Sequence, residues 1–239
     1  MTFVFCFCTG YSFASDWRTV AKGIEYQDLG SNLMNPWSHI YVFRIDPKKN
    51  KLDIVLASEL SREHASVDEF SQYSKALITL NGGFFDRQFH PLGLRVSNQK
   101  QYNPLKRISW WGVFYMKNGK PHIGTHRSYP RSNAVDFALQ SGPRLIIDGN
   151  IPSLKPGVAE RSAIGITKKG NVVILVTDNT PMTTTTLANL MKPPPLACID
   201  ALNLDGGSSS QLKANMKNLE LSVHGFSRVS DAILVKPRI

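Results

Sequence analysis

The residue types best suited to bond cleavage in this sequence cluster near position 205. The apolar run 196–204 predicts a strand, and Asp205 stands where that run stops. The glycine pair 206–207 and the serines 208–210 follow directly. Glycines allow a tight turn and close approach of a ligand, and successive N–H groups in such a turn bind anions. A carboxylate beside an anion-binding turn predicts cleavage of a phosphorylated or acidic substrate; the alternative is a tight turn with a capping Asp.

A second segment repeats this design. The apolar run 76–80 predicts a buried strand, which leads into Asn81, Gly82 and Gly83. We expect the two strand ends with paired glycines to line one pocket, where Asn81 binds ligand by its amide and Asp86 binds a cation or a hydroxyl. The alternative for Asn81-Gly82 is a hairpin turn.

Arg161 is a candidate anion-binding side chain. It stands at the start of a predicted strand over 160–167, and guanidinium pairs bidentately with phosphate or carboxylate. The alternative is an ordinary surface salt bridge with Glu160 or another acid. Arg95, on a predicted short strand over 93–96, faces one side of its sheet.

The surrounding pattern predicts an α+β fold in one domain, with mixed, mostly antiparallel sheets and about three helices. The residues 37–57 read as a hairpin, and the helices are expected over 66–75, 132–139 and 183–192. The aromatic pair Trp110 and Trp111 can face either a sugar or the core, and we expect the core.

Composition narrows the class of partner. The chain has 239 residues, 42% of them hydrophobic, and 28 Lys and Arg against 18 Asp and Glu give a net charge of +10. This balance favours an anionic partner. The basic residues are scattered and form no dense run, which favours other anionic partners over nucleic acid. No later segment reaches the ~20 apolar residues of a membrane span.

The first residues predict export. Residues 1–8 are apolar, and small residues around Ala14 and Ser15 resemble a secretory cleavage site, although no Lys or Arg precedes the run. Residues 1–15 are therefore assigned to a possible signal peptide and 16–239 to the functional domain, in a periplasmic or secreted protein.

Four segments together resemble the phosphodiester glycosidase family, which includes the animal lysosomal uncovering enzyme and bacterial exopolysaccharide-related proteins. The segments occur in the family's order and are 81–85, 141–146, 161–165 and 203–209. The chain looks most similar to the compact bacterial branch.

The resemblance implies hydrolysis of a sugar–phosphate diester, of the N-acetylglucosamine-phosphate or envelope-glycan type, at the glycosidic side. It places Asn81, Arg161 and Asp205 around one pocket, with Asp205 as general base or nucleophile. If the reaction needs a second carboxyl, either Glu160 or Asp178 would supply it. After Asp178, this chain has Asn179 and Thr180 where family members have Gly-Arg, which argues against a role for Asp178. The remaining predicted substrate-binding or phosphate-binding residues are Gly82, Gly83, Arg95, Gly206, Gly207, Ser208 and Ser209.

Two other functions stay open. One is a module that binds an anionic carbohydrate without turnover. The other is a metal-dependent phosphoesterase that uses Asp86, Asp178 and Asp205. The sequence requires no cofactor, and a divalent cation is compatible with it.

Overall fold

The computed structural model describes residues 17–32, 35–130 and 134–238. It has the predicted α+β character, with two α-helices and seventeen strands in three sheets. The helices are α1 (Val67–Ser74) and α2 (Thr184–Met191). The strands are β1 (Arg18–Ala21), β2 (Ile24–Asp28), β3 (His39–Ile45), β4 (Asn50–Leu56), β5 (Ile78–Asn81), β6 (Arg95–Ser97), β7 (Lys100–Asn103), β8 (Gly112–Lys117), β9 (Lys120–Gly124), β10 (Val135–Ser141), β11 (Arg144–Ile146), β12 (Ser162–Thr167), β13 (Val172–Asp178), β14 (Cys198–Asn203), β15 (Leu212–Met216), β16 (Leu219–Val223) and β17 (Asp231–Pro237).

Three sheets enclose one central core. A seven-stranded sheet has the order β1-β2-β3-β13-β12-β14-β11, and two five-stranded sheets have the orders β7-β6-β10-β8-β9 and β16-β15-β5-β17-β4. Each sheet contributes to the core, as Phe43, Phe114 and Ile233 do. Every strand pair in the described part of the chain is antiparallel, so the expected parallel component is not found there.

The two α-helices cover the outer faces of two sheets, and both match predicted helices. Ser66 caps α1 by accepting a hydrogen bond from the Glu69 N–H, while the Glu69 side chain accepts from the Ser66 N–H. Thr183 caps α2 by accepting from the Thr186 N–H. Phe70 on α1 and Leu187 on α2 are fully buried.

The predicted helix over 132–139 is wrong. Where this segment is described, it forms β10, which pairs with β6 on one side and β8 on the other. Phe137 and Leu139 point into the central core, while Ala138 between them joins the cluster on the outer face. This alternation has the period of a strand and not of a helix.

Two expectations concern the cellular location. The possible signal peptide, residues 1–15, lies outside the described residues and stays a prediction. Within the described ranges, none of the helices has the length and apolar character needed to cross a membrane.

Candidate active site

The candidate site lies where the ends of β5 and β14 meet. The Asp205 N–H donates to the carbonyl of Gly82 at 3.2 Å, which joins the segment after β14 to the segment after β5. The Asn81 side-chain amide donates to the Asp205 carbonyl at 2.8 Å. The structure therefore brings together the two glycine-containing strand ends that were predicted from the sequence to line one pocket.

Asn81 holds this junction in place. It is fully buried, and its Oδ1 accepts from the Ser162 hydroxyl at 2.7 Å and from the Gln211 N–H at 3.1 Å. Its amide nitrogen is already committed to the Asp205 carbonyl. Asn81 thus connects β5, β12 and the turn after Asp205, and its hydrogen-bonding capacity is used within the protein.

The glycines after Asn81 leave space for a buried ion pair. A Cβ on Gly82 would lie 1.7 Å from the Asp231 Oδ1, and one on Gly83 would lie 2.7 Å from the Arg95 Nη2. Arg95 and Asp231 pair at 3.0 Å, and both side chains are fully buried. Glycine is required at both positions because any side chain would collide with this pair.

Arg95 therefore lies in the interior and not on a face open to substrate. Its guanidinium also donates to the carbonyls of Phe84, at 3.2 Å, and Gln140, at 3.1 Å. The side chain holds the loop after β5 against β10 and supports the site from behind.

Asp205 is a largely buried acid. Burial raises the pKa of its carboxyl from 3.8 to about 6, and repulsion from Asp231 adds to this effect. Hydrogen bonds from the Ser209 side chain and the Gly206 N–H, and the charge of Arg95, lower the pKa and offset part of the shift. An acid with a pKa near the working pH can accept and release protons during catalysis.

Most backbone N–H groups of the turn after Asp205 already donate hydrogen bonds within the protein. The N–H of Gly206 donates to Asp205 Oδ1 at 3.1 Å, that of Gly207 to the Glu160 carbonyl at 2.7 Å, and that of Ser209 to the Gly206 carbonyl at 3.3 Å. Among the described residues, none accepts a hydrogen bond from the N–H of Ser208. The turn therefore offers one backbone donor at the exposed Ser208, where the sequence suggested several in succession.

Arg161 lies beside this turn. A Cβ on Gly206 would lie 4.0 Å from the Arg161 Cα. The half-buried guanidinium donates to the carbonyls of Met182, at 2.8 Å, and Gly157, and no described carboxylate pairs with it. Burial lowers the pKa of Arg161, which is the direction expected when a cation lacks a partner. The expected alternative, a salt bridge with Glu160, does not form.

The two candidate second carboxyls differ in availability. Glu160 accepts from the Thr177 hydroxyl at 2.5 Å and from the Thr180 N–H at 3.0 Å, so both oxygens are engaged. The carboxylate of Asp178, at the end of β13, accepts from the side chain of its neighbour Asn179, at 3.2 Å, and from no other side chain or N–H group in the part of the chain that the structure describes. Burial raises the pKa of Asp178, while the charges of nearby His39 and His224 lower it.

The three acids proposed as metal ligands do not converge. Asp86 is bound within its own loop, where the N–H groups of Gln88 and His90 donate to it at 2.9 Å. Across the ranges that the structure describes, no three His, Cys, Asp or Glu side chains are placed to hold a metal ion. The grouping of Asp86 with Asp178 and Asp205 as one metal site is therefore wrong.

Sequence reasoning missed two residues that support the site, Asp231 and Ser162. Asp231 holds Arg95 and the Gly83 N–H, although 136 and 148 positions separate it from them. Nothing in its local sequence marks it. Ser162 was present in a noted motif, directly after Arg161, but its contact with Asn81 depends on the pairing of β12 with β14.

Comparison with known families identifies the family of this chain. The family model for phosphodiester glycosidases matches residues 74–236, about two thirds of the chain. The matched range contains Asn81, Arg161 and Asp205. The chain therefore belongs to the phosphodiester glycosidase family.

A relative of unknown function is the uncharacterized protein YigE of Escherichia coli (strain K12), 34% identical over 125 residues. That match covers 47% of this chain and 49% of YigE, so the shared region is about half of either protein.

Two solved structures share the fold. The catalytic domain of zebrafish N-acetylglucosamine-1-phosphodiester alpha-N-acetylglucosaminidase, auto-inhibited by its pro-peptide, aligns with a TM-score of 0.69 at 14% identity, over 92% of this chain and 86% of that one. A hypothetical protein from Synechocystis aligns with a TM-score of 0.66 at 18% identity, over 90% of this chain and 62% of that one.

Proposed function

We propose that this protein is a hydrolase that cleaves the glycosidic bond of a sugar phosphodiester. The observation that carries the proposal is the placement of Asp205, whose pKa is about 6, beside a turn that also adjoins the backbone of Arg161. Among the described residues no carboxylate pairs with the Arg161 guanidinium. An acid that titrates near neutral pH can transfer protons, and a guanidinium that pairs with no carboxylate in the described ranges can stabilise an anionic leaving group. Membership of the family supports the same reaction.

Arg161 would bind the phosphodiester and stabilise the leaving phosphate. The bond that breaks joins the anomeric carbon to the phosphate oxygen, and the electron pair leaves with the phosphate. Arg161 has no competing carboxylate partner in the described part of the chain, so its charge is available to that oxygen. The exposed Ser208 N–H would add one neutral donor.

Asp205 would act at the anomeric carbon in its ionised form. As a general base it would take a proton from the attacking water, which becomes the new hydroxyl of the sugar. As a nucleophile it would form a glycosyl ester that water then hydrolyses. Phosphate is a good leaving group and needs little protonation. If the reaction uses a second carboxyl, Asp178 suits that role better than Glu160, because both oxygens of Glu160 are already bound.

The proposed substrate is an N-acetylglucosamine phosphodiester or an envelope glycan with the same linkage. The zebrafish enzyme with the same fold is named for that type of bond. The net charge of +10 favours an anionic substrate of this kind. We further propose, from the apolar and small residues at 1–15, that the protein is exported to meet such a substrate.

The function is tested by incubating the purified protein with an N-acetylglucosamine phosphodiester and identifying the products. We expect free N-acetylglucosamine and a phosphomonoester, with turnover lost in Asp205→Asn and unaffected by a chelator. Release of N-acetylglucosamine phosphate would show cleavage on the other side of phosphorus and would contradict the proposal. Binding without turnover would instead indicate a carbohydrate-binding module.

A further inference from the structure

The adjacent tryptophans before β8 have different environments. Trp111 is 6% exposed and packs against Phe84, with ring centroids 5.3 Å apart, as expected for a core residue. Trp110 is 57% exposed, so the expectation of a core position is wrong for it. The two indole rings meet edge to face, at 5.8 Å and 89°. The buried Trp111 therefore supports a large apolar side chain that remains open to a ligand.

Trp110 forms one wall of a cavity of about 400 Å³ whose lining is mostly apolar. This volume lies within the range of small-molecule sites, roughly 300–1,000 Å³. The apolar side chains of the lining are Trp110, Pro143, Leu154 and Pro156. Of the described residues that line the cavity, none carries a carboxylate.

The polar residues of the lining add little polarity to the interior of the cavity. Thr184 is 6% exposed, and its hydroxyl donates to the Lys155 carbonyl at 3.2 Å, so it is used within the protein. Lys155 is exposed, and its ammonium can stay in water while its methylene stem contributes apolar surface. A sugar in this cavity would lose water from several hydroxyls and find few partners for them, whereas a hydrocarbon chain has no hydrogen bonds to lose.

Arg161 connects the cavity with the candidate active site. Its backbone adjoins Gly206, and its side chain lines the cavity. Nε and Nη2 of the guanidinium donate to the carbonyls of Met182 and Gly157, while among the described residues none accepts a hydrogen bond from Nη1. A phosphodiester bound at Nη1 can therefore place one of its two substituents in the cavity.

Exposed apolar residues continue from the cavity to the protein surface. Pro156 belongs to the lining and is exposed, and Val158, directly after the lining residue Gly157, is 68% exposed. The segment is fixed at its end, because the Ala159 N–H donates to the Met182 carbonyl at 3.3 Å. A chain too long for the cavity can therefore leave it along an apolar border.

We propose that this cavity binds a hydrocarbon chain on the far side of the phosphate, so that the substrate is the sugar phosphodiester of a lipid alcohol. The inference rests on the proposed function, in which the sugar lies at Asp205 and Arg161 binds the phosphate. Arg161 supplies the charge that pairs with the phosphate, and the apolar walls remove the chain from water. Cleavage of the bond between the anomeric carbon and oxygen, with addition of water, then releases free sugar and a lipid phosphate.

The test uses N-acetylglucosamine phosphodiesters that carry a methyl, butyl, octyl or hexosyl group, at concentrations below those at which the octyl compound forms micelles. We expect KM to fall about tenfold to hundredfold from the methyl to the octyl compound, because each fully buried methylene adds up to about fourfold in affinity. Trp110→Ala should flatten this dependence. Trp110→Leu, which restores an apolar wall without an aromatic face, should recover most of it. Tyr73→Ala, which removes a 54% exposed aromatic on α1, should leave the dependence as in the parent.

Three kinetic results would overturn the proposal. The first is a KM that does not change with chain length. The second is a lower KM for the hexosyl than for the octyl compound, which would mean that the cavity prefers a polar group. The third is a dependence on chain length that Trp110→Ala leaves intact, which would place the chain elsewhere on the protein.

Binding without turnover separates this inference from the proposed function. Calorimetry uses octyl phosphate and methyl phosphate, which contain no glycosidic bond. The parent protein should bind octyl phosphate more tightly, Trp110→Ala should remove the difference, and Arg161→Ala should weaken the binding of both probes by a similar factor. If the protein hydrolyses no sugar phosphodiester and this difference is present, the cavity assignment stands and the proposed reaction fails. If it hydrolyses the methyl and octyl compounds equally well and binds both probes equally, the reaction stands and the cavity assignment is wrong.

Discussion

Replacement of Asp205 by Asn should stabilise the protein while abolishing its activity. Burial raises the pKa of Asp205, so the folded state disfavours the ionised carboxylate. Asn has almost the same shape and carries no charge. Its side-chain oxygen can still accept from the Gly206 N–H, which now donates to Asp205 Oδ1 at 3.1 Å. The substitution therefore removes the charge and keeps the backbone contact.

The size and sign of the effect follow from the pKa values. The pKa is 3.8 in the unfolded chain and about 6 in the folded one. Below the lower value both states are protonated and ionisation carries no penalty. As pH rises through this window the folded state retains the proton longer, so the free energy of unfolding of the parent protein falls. The full difference between the two pKa values corresponds to a loss of about 3 kcal/mol in the free energy of unfolding at high pH. Partial solvent access to Asp205 reduces this loss to about 1–3 kcal/mol.

The measurement is urea unfolding of parent and Asp205→Asn at about pH 4.5 and at about pH 8. We expect the variant to gain about 1–3 kcal/mol at the higher pH and much less at the lower pH. A gain of the same size at both values, or a larger one in acid, would refute the reasoning.

Asp86→Asn is the matched control because its effect should have the opposite sign. Hydrogen bonds from the N–H groups of His90 and Gln88 lower the pKa of Asp86, so its ionised form stabilises the folded state. This variant should lose stability near neutral pH, and the loss should shrink as pH falls through the folded pKa.

Three further predictions concern the reaction and the fold. With Asp205 acting as an ionised base or nucleophile, kcat/KM should rise with pH around an apparent pKa of about 6, and a profile that falls with rising pH would contradict that role. Arg161→Ala should raise KM for the anionic substrate about tenfold to hundredfold, with Arg161→Lys between it and the parent. Unchanged steady-state constants would contradict the role of Arg161 in binding the phosphodiester. Gly82→Ala would place a methyl group 1.7 Å from Asp231 Oδ1 and should lower the free energy of unfolding by about 1–3 kcal/mol or more. Urea unfolding measures this loss. The control is Gly170→Ala, where no atom lies within 4 Å of the added methyl group and only the backbone φ of +81° opposes the substitution.

Local patterns predicted the parts of the site that are local in the chain. Asn81 and Asp205 each follow an apolar strand and precede two glycines, and the structure joins these strand ends by hydrogen bonds. The caps of both α-helices were also readable, because a cap depends on residues three apart.

Long-range contacts account for what the sequence did not predict. An arginine on a strand is usually exposed, whereas Arg95 is buried beside Asp231, 136 positions away, which neutralises its charge. The same pair explains why Gly82 and Gly83 must be glycines. The different environments of Trp110 and Trp111 depend on the fold around them, which their adjacent positions do not reveal.

The bond that is cleaved is the most direct test of the central claim. Cleavage at either the anomeric carbon or phosphorus can release free sugar and a phosphomonoester, so products alone do not locate the broken bond. The reaction should therefore be run in water labelled with heavy oxygen, and both products analysed by mass spectrometry. We predict that the label enters the free sugar, as attack at the anomeric carbon requires. Label in the phosphomonoester would show attack at phosphorus and would contradict the assignment of this protein as a glycosidase.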